Sequence, residues 1–157
     1  MELNRYLDHA VLKPGMTQEQ AEKEIRLGVE CKAATVCVRP CDIRMAQEIY
    51  ERELPPTDDR LGGLYNNMGL ALVDLKQFRQ AEEMYQKALA VMRAAPEKEP
   101  EQAITYLNMA TAAEMEHGLV SARPVIEPLV QKAMDCMEIG KERTDGNYAF
   151  VCEKCAT

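Results

Sequence analysis

The second half of this chain repeats itself. The run YNNMGLALVDLKQFRQA, which begins at Tyr65, superposes on YLNMATAAEMEHGLVSA, which begins at Tyr106, at a constant shift of 41 residues. Tyr65, Asn67, Met68, Phe78 and Ala81 fall on Tyr106, Asn108, Met109, Leu119 and Ala122. An internal period of this length restricts the fold, because each copy is one supersecondary unit that covers its apolar face only by stacking on its neighbour. In the first copy Tyr65, Met68, Leu72 and Leu75 recur at helical spacing, Lys76-Gln77 interrupts, and Phe78, Ala81, Met84, Tyr85, Ala88 and Leu89 recur again. That pattern predicts two amphipathic helices joined by a tight turn. Small residues such as Gly69 and Ala81 stand where backbones approach, and large ones such as Tyr65, Phe78 and Tyr85 fill the space beside them.

These residues resemble a tetratricopeptide repeat, whose pattern of an aromatic, Leu-Gly, an aromatic, Ala, an aromatic and Ala is held here by Tyr65, Met68-Gly69, Leu72, Phe78, Ala81, Tyr85 and Ala88. The proline that usually follows the second helix is displaced to Pro96, so that helix and its linker are longer than the common form. The second copy is degenerate. Ala110 replaces the glycine, Ala113 the aromatic, and Pro124 and Pro128 fall inside what should be its second helix. Since an interior proline removes a backbone hydrogen bond, that helix is expected to start at Pro124 or to kink near Pro128. Upstream, AQEIYEREL from Ala46 to Leu54 resembles AEEMYQKAL from Ala81 to Leu89 and predicts a further helix, ended by Pro55-Pro56.

Residues 1 to 45 have another texture. LDHAVLKP is followed by Thr17-Gln-Glu-Gln20, a start signal for an amphipathic helix reaching about Cys31, and then by the β-branched run Ala34-Thr-Val-Cys-Val38. Strand, helix, strand is the order of a parallel α/β unit. YLDHAVLKP and ATVCVRPCDI are similar to the start of deoxyribose-phosphate aldolase, a (β/α)8 barrel whose lysine forms a Schiff base with an aldehyde sugar phosphate. The resemblance places Asp8 and Cys37 near that family's active centre, and it stops after about 46 residues, before the strands that carry the reactive lysine. With two of eight strands no barrel closes, and Lys13, Lys23 and Lys32 lie in segments that offer no pocket of lowered lysine pKa. The chain therefore reads as non-catalytic and without a cofactor, the rival reading being aldolase-like lyase chemistry.

The expected fold is mainly α: tetratricopeptide-type antiparallel helical hairpins behind a small N-terminal strand-helix-strand fragment. Residues 1–45 form the aldolase-like piece, 46–143 the repeats and 144–157 a tail, DGNYAFVCEKCAT at its end, that resembles those following such repeats in some bacterial proteins. The character of the chain switches between Cys41 and Ala46 without a linker, as in a fusion of two gene fragments.

Ala, Leu, Met and Val carry the apolar content, with 5% aromatics and no Trp, which suits helices. Twenty-six acidic against nineteen basic residues give a net charge of -7, and no basic stripe gathers for nucleic acid or an anionic membrane. With no leader-like N-terminus and no apolar run of roughly 18 residues, a cytoplasmic protein is expected. Its six cysteines are then free thiols, with Cys31, Cys37, Cys41 and Cys136 read as small buried or half-buried residues. Cys152 and Cys155 have ligand-like spacing but lack a second pair, so a metal site is not expected. His9 is assigned a packing or hydrogen-bonding role and His117 the turn between helices.

In tetratricopeptide proteins the first helix of each hairpin lines a concave groove that holds an extended peptide, and the resemblance puts Asn66, Asn67, Leu70, Asp74, Asn108 and Thr111 there. The alternative is that the amides only solvate the helix surface or bond across the hairpin. The implied partner is a protein or peptide. Two incomplete halves with uncovered apolar surface also imply a homo-oligomer.

Overall fold

The helix start signal at Thr17 forms as a reciprocal cap. The Gln20 amide donates to Thr17 Oγ1 at 3.2 Å and the Thr17 amide donates to Gln20 Oε1 at 3.0 Å, opening α1 (Gln18–Glu30). The structure, a computed structural model, describes residues 3–95 and 98–139 together with Glu153. Two compact units divide between Leu61 and Gly62.

In the first unit β1 (Asp8–Val11) and β2 (Thr35–Val38) pair in parallel, Asp8 opposite Thr35 and Ala10 opposite Cys37, with α1 as the crossover. Alternation along the strands turns His9, Val11, Val36 and Val38 to one face and Asp8, Ala10, Thr35 and Cys37 to the other. The first face is covered by α1, which buries Ala21, Ile25 and Val29. It comes closest at Gly28, where a Cβ would lie 2.6 Å from Val36 Cγ2 and 3.1 Å from His9 Cδ2. All four residues of the second face are exposed. After β2, buried Asp42 takes Arg39 Nε at 2.6 Å, while Arg39 Nη1 donates to the Met16 carbonyl at 2.9 Å. The Arg39 hydrogen bond holds the Asp42 carboxyl below the usual carboxylate range against the opposing effect of burial. Helix α2 (Ile43–Glu53) ends where expected: Leu54 is extended, as a residue before proline must be.

The second unit opens within α3 (Asp59–Asp74) and continues through α4 (Phe78–Ala94), α5 (Glu99–His117) and α6 (Leu119–Ile139). Among the described residues the fold is mainly α. The α3–α4 turn at Lys76-Gln77 closes by two bonds, Gln77 N–H to the Leu72 carbonyl and Lys76 N–H to that of Val73, both 2.8 Å. Lys76 adopts φ 57° at the position where glycine is usual. Helix α1 ends in the same way, with Ala33 N–H to Gly28, Lys32 N–H to Val29, and Lys32 at φ 53°. Pro96, the proline expected after α4, lies outside the described residues.

Two linked clusters hold this unit together. Val73, Ala81, Tyr85 and Ala112 join α3, α4 and α5. Leu89, Ala103, Tyr106, Ala110, Leu129, Ala133 and Met137 join α4, α5 and α6. The small-against-large packing is as expected. Ala81 is fully buried, and a Cβ on Gly69 would meet the Tyr85 ring at Cε1, at Cδ1 (2.7 Å) and at Cζ (2.8 Å). Lys87 stands 5.4 Å from the Tyr65 ring centroid, and Lys132 stands 5.7 Å from that of Tyr106. The 41-residue shift would put the second lysine at 128, where proline stands instead, and Lys132 supplies the cation one turn later.

The start expected at Pro124 is corrected. Helix α6 begins at Leu119, directly after Gly118 (φ 76°), and runs through both prolines. Their placement explains the tolerance: Pro124 and Pro128 are both exposed, four residues apart on the solvent face. The carbonyls of Val120 and Pro124 that lose their donors there can turn to water. His117 accordingly is the last residue of α5, and Gly118 makes the turn.

Candidate partner-binding groove

Two amides, one from each copy of the repeat, meet across two helices. Asn108 Nδ2 on α5 donates to Asn66 Oδ1 on α3 at 3.0 Å. Gly62 approaches Met92 and Gly69 approaches Tyr85, so α3 and α4 run antiparallel. Thr105 and Tyr106 of α5 bond Met92 and Arg93, while Ala112 packs with Tyr85, so α4 and α5 are antiparallel as well. Helices α3 and α5 are therefore parallel neighbours. Helical spacing then aligns Asn67, Leu70 and Asp74 on α3 with Asn108, Thr111 and Met115 on α5. Asn67, Asp74 and Thr111 are exposed, Leu70 and Met115 are 41% and 54% exposed, and Asn66 and Asn108 are half-buried. The Asn66–Asn108 bond leaves one amide donor group on Asn66 and the carbonyl face of Asn108 available. Beneath this row lies Tyr85, 1% exposed, whose hydroxyl has no hydrogen-bond partner among the described residues. Burial, with the Asp74 carboxylate adding to it, pushes that hydroxyl's pKa up to about 12.

In the first unit, Asp8 and Cys37 share the uncovered sheet face, and Thr35 Oγ1 donates to Asp8 Oδ1. One of the three lysines borders a cavity: Lys13, Pro14, Gly15, Met16, Gln20 and Glu24 line a space of about 400 Å³. Among the described residues, the other charge lining it is the Glu24 carboxylate, which also lies 3.4 Å from His9 Nε2. That contact has ion-pair length but not hydrogen-bond geometry, and it leaves Nε2 without a donor or acceptor partner among the described residues. A Schiff-base lysine needs burial beside another cation, and among the described residues no second lysine, arginine or histidine lines this space. Cys31, Cys37 and Cys41 are exposed rather than buried and only Cys136 is half-buried. The three exposed thiols occupy a helix end, the uncovered sheet face and the turn before α2, none of which packs a second layer. No cluster of three or more metal-ligating side chains occurs among the described residues, and Cys152 and Cys155 lie outside them.

Comparison with known proteins finds two partial likenesses. The tetratricopeptide repeat family profile matches residues 60–124. This stretch is similar to a tetratricopeptide repeat. Over a short part of its length the chain is similar to deoxyribose-phosphate aldolases. One from Streptococcus suis (strain 05ZYH33) is 48% identical over 48 residues, 31% of this chain and 22% of that protein. One from Enterococcus faecalis (strain ATCC 700802 / V583) is 42% identical over the same length, with the same shares covered. One from Clostridium tetani (strain Massachusetts / E88) is 36% identical over 58 residues, 37% of this chain and 25% of that protein. The chain thus spans about a quarter or less of the curated relatives it matches. No solved structure matches it.

Within the tetratricopeptide region, sequence reasoning missed Met115 and the unpartnered Tyr85 hydroxyl. Met115 was available in the 41-residue shift, which carries Asn67, Leu70 and Asp74 onto Asn108, Thr111 and Met115. The state of the hydroxyl had no signal in the sequence, because an aromatic at that position satisfies the packing pattern whether or not its polar end finds a partner. No helix among the described residues is long and apolar enough to cross a membrane.

Proposed function

We propose that the chain is a non-catalytic, cytoplasmic protein-interaction module whose tetratricopeptide region holds an extended peptide or partner segment against α3 and α5. One observation carries this reading: two parallel first helices, tied by the Asn66–Asn108 bond, present a continuous row of exposed amide, hydroxyl and apolar side chains. Amides hold peptide backbone, while Leu70 and Met115 offer apolar anchors. In this reading residues 1–45 are an accessory fragment, 46–143 the working part and 144–157 a tail. Self-association through the exposed Asp8–Ala10–Thr35–Cys37 face is part of the proposal, because parallel strands ordinarily have both faces covered. Light scattering should then give a mass above the 17.7 kDa of one chain.

A photo-crosslinking amino acid at position 70, compared with one at exposed position 82 on α4, tests the groove. Partners should be captured at 70 and not at 82. Equal capture at both positions, or capture at 82 alone, would remove the groove from the function.

A further inference from the structure

The charges of the tetratricopeptide region are sorted by helix. Between Gly62 and Asp74, and again between Glu99 and His117, there is no lysine or arginine, whereas five carboxylates stand there: Asp74, Glu99, Glu101, Glu114 and Glu116. Apart from Arg60 in the first turn of α3, which pairs with Asp58, the cations belong to α4, α6 and the turns, and most are engaged. Arg79 faces Glu83, Arg123 faces Glu127 and Lys98 faces Glu101. Lys87 and Lys132 sit over tyrosine rings, and Arg93 Nη2 donates to Tyr106 Oη at 2.7 Å.

Asp74 and Glu114 have no such partner among the described residues, and both occupy the last turn of a helix. A carboxylate is disfavoured there by the partial negative charge of the helix end. Because α3 and α5 run parallel, the two helix ends and their acids fall at the same end of the groove. Local rules broken without compensation mark functional positions more often than chance. Independently, the Tyr85 hydroxyl is buried and unpartnered among the described residues. Its ring passes Gly69 and packs with Val73 and Ala112, between the two groove helices and on the Asp74 side of Asn108. A buried hydroxyl left unbonded is costly, and a bound N–H donor would relieve it.

Resting on the groove reading above, we propose that this end of the groove selects a cationic side chain, a lysine or arginine beside an apolar residue in an extended partner segment. The cation is held by Asp74 and the parallel helix ends, with Tyr85 as acceptor and Leu70 and Met115 taking the apolar neighbour. Acidic segments are repelled by the same arrangement.

The test uses the full chain and three fluorescein-labelled serine-alanine peptides that differ only in a central Leu-Lys, Leu-Ser or Leu-Glu pair, followed by anisotropy. The lysine peptide should bind about three- to tenfold tighter than the serine peptide, the scale of a partly exposed ion pair, and the glutamate peptide weakest. The preference should shrink in Asp74→Asn and in Tyr85→Phe, and with added salt, but persist in Glu82→Gln, which changes net charge equally on the far side of α4. Equal binding of all three peptides, with all three weakened by Asn108→Ala, would overturn charge selection and leave the groove standing. An equal loss of preference in Glu82→Gln would reduce it to the overall charge of -7 and overturn it also. Binding of none of the peptides would overturn the groove reading together with this one.

Discussion

Replacing Gly69 by alanine sets two effects of opposite sign against each other. Glycine inside a helix costs about 1 kcal/mol relative to alanine, so propensity alone favours the change. At this position the added Cβ would lie 2.7 Å from Tyr85 Cδ1 and 2.8 Å from Cζ, well inside contact distance of a ring that is 1% exposed. A flexible chain end could yield, but a buried ring gives way only with its neighbours Val73, Ala81 and Ala112. Overpacking of this kind costs about 1–3 kcal/mol, and with the ring fixed the upper end applies. The net expectation is destabilisation by about 2 kcal/mol, or roughly 4–8 °C in Tm for a chain of this size.

Gly63 is the internal control, in the same helix, exposed and with nothing within 4 Å of its added Cβ. Gly63→Ala should therefore raise stability by about 1 kcal/mol. Urea denaturation followed by far-ultraviolet circular dichroism reads both. In a Tyr85→Leu background the penalty at 69 should fall toward the propensity gain. If Gly69→Ala and Gly63→Ala both stabilise, the closest approach of α3 and α4 is not at Gly69 and the packing account fails.

Pro128→Ala should stabilise α6 by about 1–3 kcal/mol, because replacing an exposed proline there returns a backbone bond and gives up no buried contact; a lower urea midpoint would mean the ring is packed. Asp42 and Asp58 are both held below the usual carboxylate range, chiefly by hydrogen bonds from Arg39 and Arg60. Their contribution is full above about pH 4, the unfolded range, and is lost as pH falls through the folded values. The urea midpoint should therefore drop on acidification below that point, and less steeply in Asp58→Asn. Borohydride treatment with deoxyribose 5-phosphate should leave the mass unchanged, since among the described residues Lys13 shares its cavity with no second cation; an adduct on any lysine would restore an aldolase reading.

The hairpins were legible because their signals are local. Tyr65 to Leu89 carries a 3.6-residue period broken once, and Lys76-Gln77 marks the break. The parallel strand pair was legible for the same reason, from Thr17 as cap and from the β-branched run before Arg39. What escaped was tertiary. Proline at 124 and 128 argues against a continuous helix on propensity, and only the placement of both on the solvent face of α6 removes the objection. Cys37 reads as apolar in sequence, and its exposure follows from a sheet face that no second layer covers among the described residues. The groove amides could be named, yet their mutual bond depends on α3 and α5 running parallel, which no single segment encodes.

The two helix ends built on Lys32 and Lys76 have a consequence for how the turns answer to their surroundings. A left-handed lysine costs the backbone on the order of 1 kcal/mol, and its charge beside the terminal carbonyls returns about 0.3–1 kcal/mol at low ionic strength. Glycine would avoid the strain and forgo the attraction, whatever the salt. With lysine, the ending is nearly neutral in dilute buffer and weakens as counterions accumulate. Acylation would keep the strain and delete the charge. Both helix terminations are thereby tied to ionic strength and to the state of one amine each, which a glycine in either place would have made indifferent.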